Sequence, residues 1–304
     1  MQTAGGSGAL RVAAGLISVA APNSIVHVSA PTWANHVPLL TGGMLRLEPY
    51  PYFDPETGGV QFDAMLATLE RLPAGAIVLL HASCHNPTGA DLTEGQWLQL
   101  VELFKRRGLC AFIDMAYQGL GSGLTEDAFG VRLFAAELPE LIVAASCSKN
   151  FGLYRERVGT LHIVNETGSA ADAVVSQMVR IIRTLYSMPP DHGASIVREI
   201  LTSHALHQMW IEEVSAMRTR IKTLRGEFVA RLSQACLIRD FGFISRQRGM
   251  FSRLPVTVEE VHALRAEHHI YLLDDGRVNI AGLRKENIDY VAQALAKVLL
   301  RRNR

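Results

Sequence analysis

The chain has 304 residues, of which 48% are hydrophobic and 19% are charged, so its composition predicts a globular protein of about two domains rather than a disordered one. Lysine and arginine total 30 against 29 aspartates and glutamates, which argues against a nucleic-acid or acidic-membrane partner. The expected partner is therefore a small molecule.

Other global features concern membranes, export and metals. The longest apolar runs, 76–80 and 141–145, are strand-sized and much shorter than the roughly 20 residues of a membrane span. No basic segment followed by an apolar one opens the chain, so we predict no secretory signal and a cytoplasmic location. The cysteines are far apart and the histidines lack ligand spacing, which predicts reduced thiols and no metal site.

The first half of the chain alternates short apolar runs with longer helical patterns. This alternation predicts an α/β fold, in which a mainly parallel sheet is covered by helices on both faces. Ligands of such sheets bind at the carboxyl ends of the strands. The predicted strands are 25–29, 76–81, 109–114, 141–146 and 158–164, and the predicted helices are 62–71, 93–107 and 129–137.

From residue 170 the pattern becomes helical, and short strands return near the end. The predicted helices are 171–185, 192–202, 205–235, 258–267 and 284–300, and the predicted strands are 250–252, 270–272 and 277–280. A helix can join two cores without a flexible linker. We therefore place a boundary near Ala216, between a large domain, 1–215, and a small α+β domain, 216–304.

Two early segments could contact a flat, phosphorylated ligand. Gly6 and Ser7 open a helical pattern, where backbone amides can approach a phosphate. A plain glycine turn with a serine cap explains the same residues. Trp33 follows the first predicted strand and could stack on a ring, although most tryptophans belong to the core.

Two later strand ends carry an amide and a carboxylate. Asn86 precedes a proline, which holds it extended and can aim its side chain into a cleft; a tight turn alone is the alternative. Asp114 ends an apolar strand, so its carboxylate needs a cationic or hydrogen-bonding partner. A pyridinium nitrogen would serve, and so would a structural ion pair or a helix cap.

Lys149 follows an apolar strand, lies among serines and precedes Arg157 by eight residues. Desolvation or a nearby cation lowers the pKa of a lysine and frees its amine to attack an aldehyde. Pyridoxal phosphate supplies such an aldehyde, together with a phosphate for Arg157. An exposed lysine at a strand end is the simpler interpretation, but the other four segments favour the imine-forming one.

Taken together, these segments match a known family. The chain resembles the class I aspartate and aromatic-amino-acid aminotransferases, in particular the bacterial aromatic branch, from Gln2 to the final helix. The resemblance implies the pyridoxal-phosphate transferase fold of type I, a homodimer, and ping-pong exchange of an amino group between an aromatic or acidic amino acid and a 2-oxo acid such as 2-oxoglutarate. The matching segments are GGSGAL, PTWxNH, CHNPTG, AYQG and SKNFGLYxERVG.

The resemblance also implies roles for the cofactor residues. Lys149 would be the Schiff-base lysine and proton carrier, and Asp114 would keep the pyridine nitrogen protonated. Tyr117 and Asn86 would hydrogen-bond the ring oxygen while Trp33 stacks on the ring. The implied phosphate ligands are Gly6, Ser7, Ser146, Ser148 and Arg157.

Substrate residues follow from the same resemblance. Arg277 would bind the substrate α-carboxylate, and Arg183 would reach into the neighbouring subunit's site to hold an acidic side chain. Phe251 would line the substrate pocket, to which Asn86 and Trp33 also belong. The implied supports of Asp114 are His36 and His81.

One departure from the family leaves a second hypothesis open. The family has about a hundred further residues before the glycine loop, whereas Met1 stands almost against it here. Without such a segment, we expect exposed apolar surface and a weakened dimer. The alternative is therefore a remnant that keeps the fold and binds the cofactor without turnover. A lyase or decarboxylase of the same fold is a third hypothesis, against which the pair Arg183 and Arg277 argues.

Overall fold

The computed structural model describes residues 1–237 and 239–301. Its central feature is a seven-stranded sheet with the order β1-β7-β6-β5-β4-β2-β3. The strands from β3 through β2, β4 and β5 to β6 are parallel, and β7 runs antiparallel to both β6 and β1. The strands are β1 (Gln2–Ala4), β2 (Ile25–Ala30), β3 (Arg46–Pro51), β4 (Ile77–His81), β5 (Cys110–Met115), β6 (Leu141–Ser146) and β7 (Val158–Val164).

Helices cover both faces of this sheet, which confirms the predicted fold class. Alternate residues of β4 point to opposite sides: Leu80 packs with helices α3, α4 and α5, and Leu79 packs with α1 and α6. Trp97 and Phe104 of α4 both lie edge-on to Phe134 of α5. The helices are α1 (Gly5–Ala20), α2 (His36–Thr41), α3 (Phe62–Leu69), α4 (Glu94–Arg107), α5 (Phe129–Glu137) and α6 (Gly168–Leu185).

A second hydrophobic core lies in the last third of the chain, from Ile221 to Leu299. Here a two-stranded antiparallel sheet packs with four helices. The buried residues that helix α8 (His204–Ala235) contributes to this core begin at Ile221, and the predicted domain boundary near Ala216 stays a prediction; residue 238 and residues 302–304 lie outside the described part. The elements are α7 (Asp191–Thr202), α8 (His204–Ala235), α9 (Phe243–Arg246), β8 (Phe251–Arg253), α10 (Val258–His268), β9 (Arg277–Asn279) and α11 (Ile288–Arg301).

Some elements differ from the sequence predictions. The prediction of a strand at 270–272 was wrong. The backbone amide of Ile270 instead donates a hydrogen bond to the carbonyl of Leu264 in α10, and Tyr271 is 74% exposed. Strand β3 was missed because it lies at the sheet edge and contains Pro49 and Pro51, which sequence rules count against a strand. Short elements β1, α2 and α9 were also missed. Within residues 1–237 and 239–301, none of the helices combines the length and apolarity that a bilayer crossing requires.

Candidate active site

A cavity of about 130 Å³ lies at the carboxyl ends of β4, β5 and β6, facing the start of α1. All ten residues that the sequence analysis assigned to the cofactor line it. The fold thus gathers five chain segments, from residue 6 to residue 157, around one space. The lining residues are Gly6, Ser7, Leu10, Trp33, His81, Ser83, Asn86, Asp114, Ala116, Tyr117, Ser146, Ser148, Lys149, Tyr154 and Arg157.

One end of the cavity is built for an anion. Helix α1 begins against β6 and β7, and a Cβ on Gly159 would lie only 2.4 Å from the carbonyl carbon of Gly5. Arg157 donates hydrogen bonds to the carbonyls of Tyr154 and Ala4, at 2.9 and 3.3 Å. The Oγ atoms of Ser146 and Ser148 lie 3.0 Å apart. A helix N-terminus, two hydroxyls and a guanidinium together make a cradle that can accept an anion such as a phosphate.

The carboxylate of Asp114 forms the opposite end. Its Oδ2 lies 3.0 Å from Nε2 of His36, whose Nδ1 lies 2.8 Å from the hydroxyl of Thr32. Burial would raise the pKa of Asp114, but the hydrogen bond from His36 and nearby positive charge outweigh it and hold the pKa below 3.8. Asp114 is therefore an anion at neutral pH. It can hold a protonated ring nitrogen at this place.

His81 supports the same end of the cavity in its neutral form. Its Nε2 lies 3.2 Å from the hydroxyl of Thr32, and its ring is 5.0 Å from that of His36. Burial lowers the pKa of His81 to about 3. The ring therefore adds no charge beside Asp114 near neutral pH.

Lys149 stands between these two ends, just after β6. Its Nζ lies 4.8 Å from the centroid of the Tyr117 ring. Desolvation lowers the pKa of Lys149 and the charge of Arg157 lowers it further, against the opposing effect of Asp114. The amine is thus easier to deprotonate than that of an exposed lysine. This is the property that an imine-forming nucleophile needs.

A chain of hydrogen bonds joins the cavity to the second core. Arg277 Nη1 donates to Asn86 Oδ1 at 2.9 Å, and Asn86 Nδ2 donates to the hydroxyl of Tyr117 at 3.2 Å. The guanidinium carbon of Arg277 lies 4.4 Å from the centroid of the Phe251 ring. Burial raises the pKa of Tyr117, which therefore remains a neutral phenol. Strands β8 and β9 thus place the predicted substrate residues beside the predicted cofactor residues.

Arg277, Phe251 and His36 adjoin residues that line the cavity, whereas Arg183 is not placed near it. It lies exposed in the last turn of α6. Its predicted role was in the site of a neighbouring subunit, and the structure describes a single chain. That role stays a prediction.

Sequence reasoning missed two polar groups of the cavity. The hydroxyl of Ser83 is buried and has no hydrogen-bond partner within the described residues. Tyr154, whose ring centroid is 6.0 Å from Lys149 Nζ, also lines the space. Tyr154 lies inside one of the matching segments and Ser83 directly precedes another, but no local pattern showed that their side chains face the cavity.

The chain is similar to known proteins in sequence and fold. Residues 1–295 match the profile of the family described as Aminotransferase class I and II. Aromatic-amino-acid aminotransferase of Escherichia coli (strain K12) is 46% identical over 299 residues, which are 98% of this chain and 75% of the relative. Aspartate aminotransferase of the same organism is 45% identical over 298 residues, with 98% and 75% coverage.

Two solved structures superpose closely on the chain. Aromatic-amino-acid aminotransferase from Burkholderia pseudomallei, covalently bound to pyridoxal phosphate, gives a TM-score of 0.95 at 46% identity, covering 98% of this chain and 75% of its own. The aspartate aminotransferase of Saccharomyces cerevisiae cytoplasm gives 0.96 at 36% identity, covering 99% and 75%. The chain spans about three quarters of the length of these relatives.

Proposed function

Since this chain belongs to the class I and II aminotransferases, we propose that its cavity holds pyridoxal phosphate with Lys149 as the attachment point. The protein is a pyridoxal-phosphate-dependent aminotransferase. The comparisons give no better support to the alternative of an inactive remnant. The residue roles below are proposals that the geometry supports.

The groups lining the cavity fit the cofactor. Pyridoxal phosphate carries a phosphate, a ring nitrogen and an aldehyde, for which the cavity offers the cradle at Arg157, the anion of Asp114 and the amine of Lys149. The unpartnered hydroxyl of Ser83 shows that the cavity lining still has hydrogen-bonding capacity for a polar ligand. Trp33 lies at the side of the cavity, where an indole can cover a flat ring.

In the proposed mechanism, each residue acts on one atom. Bound pyridoxal phosphate supplies an aldehyde carbon for covalent capture of the amino group and a ring that accepts electron density. Lys149 Nζ removes the proton from the substrate α-carbon, for which its lowered pKa suits it. Asp114 would hold the proton on the ring nitrogen. Tyr117 and Asn86, which hydrogen-bond each other, would bind the ring oxygen, and Arg277, which donates to Asn86, would bind the substrate carboxylate through its planar fork.

The observation that carries the proposal is that one cavity brings together Lys149, the anion-binding groups around Arg157 and the nearly buried carboxylate of Asp114, and that both of these charged neighbours act on the Lys149 amine. Mixing the purified chain with pyridoxal phosphate should produce the absorption band of lysine-bound cofactor. Adding aspartate or tyrosine should then convert the cofactor to pyridoxamine phosphate in a single turnover. A band without conversion would select the remnant, and absence of a band would contradict the proposal.

We further propose that the substrates include both aromatic and acidic amino acids and that the active form is a homodimer. An aromatic-amino-acid aminotransferase and an aspartate aminotransferase each match 98% of the chain. Helices α6 and α7 expose apolar side chains, among them Val179 at 48% and Leu201 at 48%, and α7 buries only Gly193. A second copy covering this surface would also bring Arg183 towards a partner's site. Light scattering of the purified chain tests the dimer, and the predicted cytoplasmic location stays a prediction.

A further inference from the structure

Asp91 hydrogen-bonds the backbone of the loop that follows β4. Its Oδ2 accepts a hydrogen bond from the backbone amide of Cys84 at 2.7 Å, and its Oδ1 accepts one from the amide of His85 at 2.8 Å. Ser83 and Cys84 have φ values of 65° and 56°, a left-handed conformation that side-chain-bearing residues rarely adopt. Such a turn persists only where its surroundings hold it, and the carboxylate of Asp91 does so at both amides.

The segment that Asp91 holds leads directly to Asn86. The side-chain amide of Asn86 accepts a hydrogen bond from Arg277 and donates one to Tyr117. Its position therefore sets one hydrogen bond on the proposed substrate side and one on the proposed cofactor side. A shift of the amides at Cys84 and His85 would therefore move both contacts together.

The other end of the loop is tightly packed. Gly89 has a φ of 71°, and a Cβ there would lie 2.4 Å from the carbonyl oxygen of Phe251. The carbonyl of Gly89 also accepts a hydrogen bond from the amide of Arg248 at 2.8 Å. The loop is thus held at one end by Asp91 and packed at the other end against the segment that carries Phe251. A shift of the backbone at one end would therefore disturb the contacts at the other end.

Asp91 itself does not line the cofactor cavity. It lines a separate cavity of about 440 Å³, with Ser83 and His81 between the two spaces. Burial raises the pKa of Asp91 to about 6 in spite of its two hydrogen bonds, so the carboxylate is mostly ionised at neutral pH and above. Its hydrogen bonds to Cys84 and His85 give Asp91 a route to the cofactor cavity through the loop.

We propose that Asp91 is a positioning residue for transamination, which fixes the amide of Asn86 and through it the hydrogen bonds to Tyr117 and Arg277. The proposal rests on the proposed function of the same site. The two carboxylate oxygens of Asp91 each accept a hydrogen bond from one backbone amide. The isosteric Asp91→Asn variant keeps one of these acceptor oxygens, and Asp91→Ala keeps neither.

The first test uses the protein without cofactor. Hydrogen exchange should be faster in the peptide spanning 83–90 of Asp91→Ala and, to a smaller degree, of Asp91→Asn. Asp240→Asn is the matched control, because Asp240 accepts an amide from Gly242 at 2.6 Å in an exposed turn. Unchanged exchange in Asp91→Asn would overturn the proposal even if the alanine variant fails to fold.

The second test uses the loaded protein, with a pH titration of the absorption band and with kinetics at pH 8, where Asp91 is ionised. Loss of a hydrogen bond to the ring oxygen should raise the pH midpoint of the cofactor's absorption band by about half a unit or more. The KM for the amino acid should rise about tenfold because Arg277 loses its orienting partner. Reduced stability with an unchanged midpoint and KM in both Asp91 variants would show a merely structural role and overturn the proposal.

Failure of the proposed function would look different. If the wild-type protein gives no absorption band, pyridoxal phosphate binding is contradicted. If the band forms but its pH midpoint is unchanged by substitution of Asp91, only the positioning role is contradicted. The exchange experiment tests the loop in either case.

Discussion

Arg277 donates a hydrogen bond to Asn86 across 2.9 Å, although the two residues are 191 positions apart in the chain. This bond joins β9 of the second core to the loop after β4 of the large sheet. Because Asn86 also donates to Tyr117, one amide links the residue proposed to bind the substrate carboxylate with a residue proposed to bind the cofactor. Substitutions on either side of this amide should therefore have separable kinetic effects.

Replacing Arg277 by lysine should weaken substrate binding. Lysine keeps the charge but loses the planar fork and the hydrogen bond to Asn86, so KM for the amino acid should rise about tenfold or more. Steady-state kinetics with aspartate and tyrosine measure the change. Arg284→Lys, at an exposed position, is the control and should leave KM unaltered. An unaltered KM in Arg277→Lys would remove this residue from the substrate site.

Replacing Asp114 by asparagine should impair turnover more than binding. The substitution keeps the shape but removes the negative charge beside His36, so kcat should fall on the order of 100-fold while the absorption band of bound cofactor persists. Asp289→Asn controls for charge loss, since Asp289 is an exposed partner of Arg231. A kcat within twofold of wild type would argue against the role of Asp114.

The reactivity of Lys149 should depend on its two charged neighbours in opposite directions. The positive charge of Arg157 lowers the pKa of Lys149, so Arg157→Gln should raise it; the negative charge of Asp114 raises that pKa, so Asp114→Asn should lower it. The rate of imine formation with pyridoxal, followed against pH, reports this pKa without the need for a bound phosphate. Shifts of equal sign in the two variants would contradict the electrostatic account.

Replacing Gly159 by alanine should disrupt the anion cradle. The new Cβ would lie 2.4 Å from the carbonyl carbon of Gly5 and 2.7 Å from the amide nitrogen of Gly6, so the start of α1 must move away from β7. Titration of pyridoxal phosphate should show weaker binding by about tenfold or more.

Gly226→Ala provides the control for the preceding prediction. Its Cβ would meet nothing within 4 Å in helix α8, so urea unfolding should show a gain of about 0.5 to 1 kcal/mol with unchanged cofactor affinity. Equal cofactor affinity in Gly159→Ala and the wild type would mean that the start of α1 does not hold the phosphate.

Elements with strong local patterns were predictable from the sequence. Strands β6 and β7 and helix α5 have the predicted bounds, because an apolar run in β6, apolar and β-branched residues in β7 and helical periodicity in α5 define them locally. Strand β3 lacked such a signal since two prolines lie in it, and the run at 270–272 looked like a strand but has none of its pairing. Pairing depends on neighbours that are distant in the chain.

The candidate site follows a similar division. Residues at or just after the ends of parallel strands, such as Asp114 and Lys149, could be placed together from the sequence. The carboxyl ends of parallel strands all lie at the same edge of the sheet. The buried hydroxyl of Ser83 and the two amides bound by Asp91 could not be predicted, since they depend on a left-handed turn that has no glycine to announce it.

The central claim is that Lys149 alone captures the cofactor. Lys105, Lys222, Lys285 and Lys297, the other lysines of the chain, are all exposed. Incubation with pyridoxal phosphate, reduction with borohydride and peptide mapping by mass spectrometry should place the phosphopyridoxyl group on Lys149. Labelling of the other lysines with an unmodified Lys149 would contradict the account.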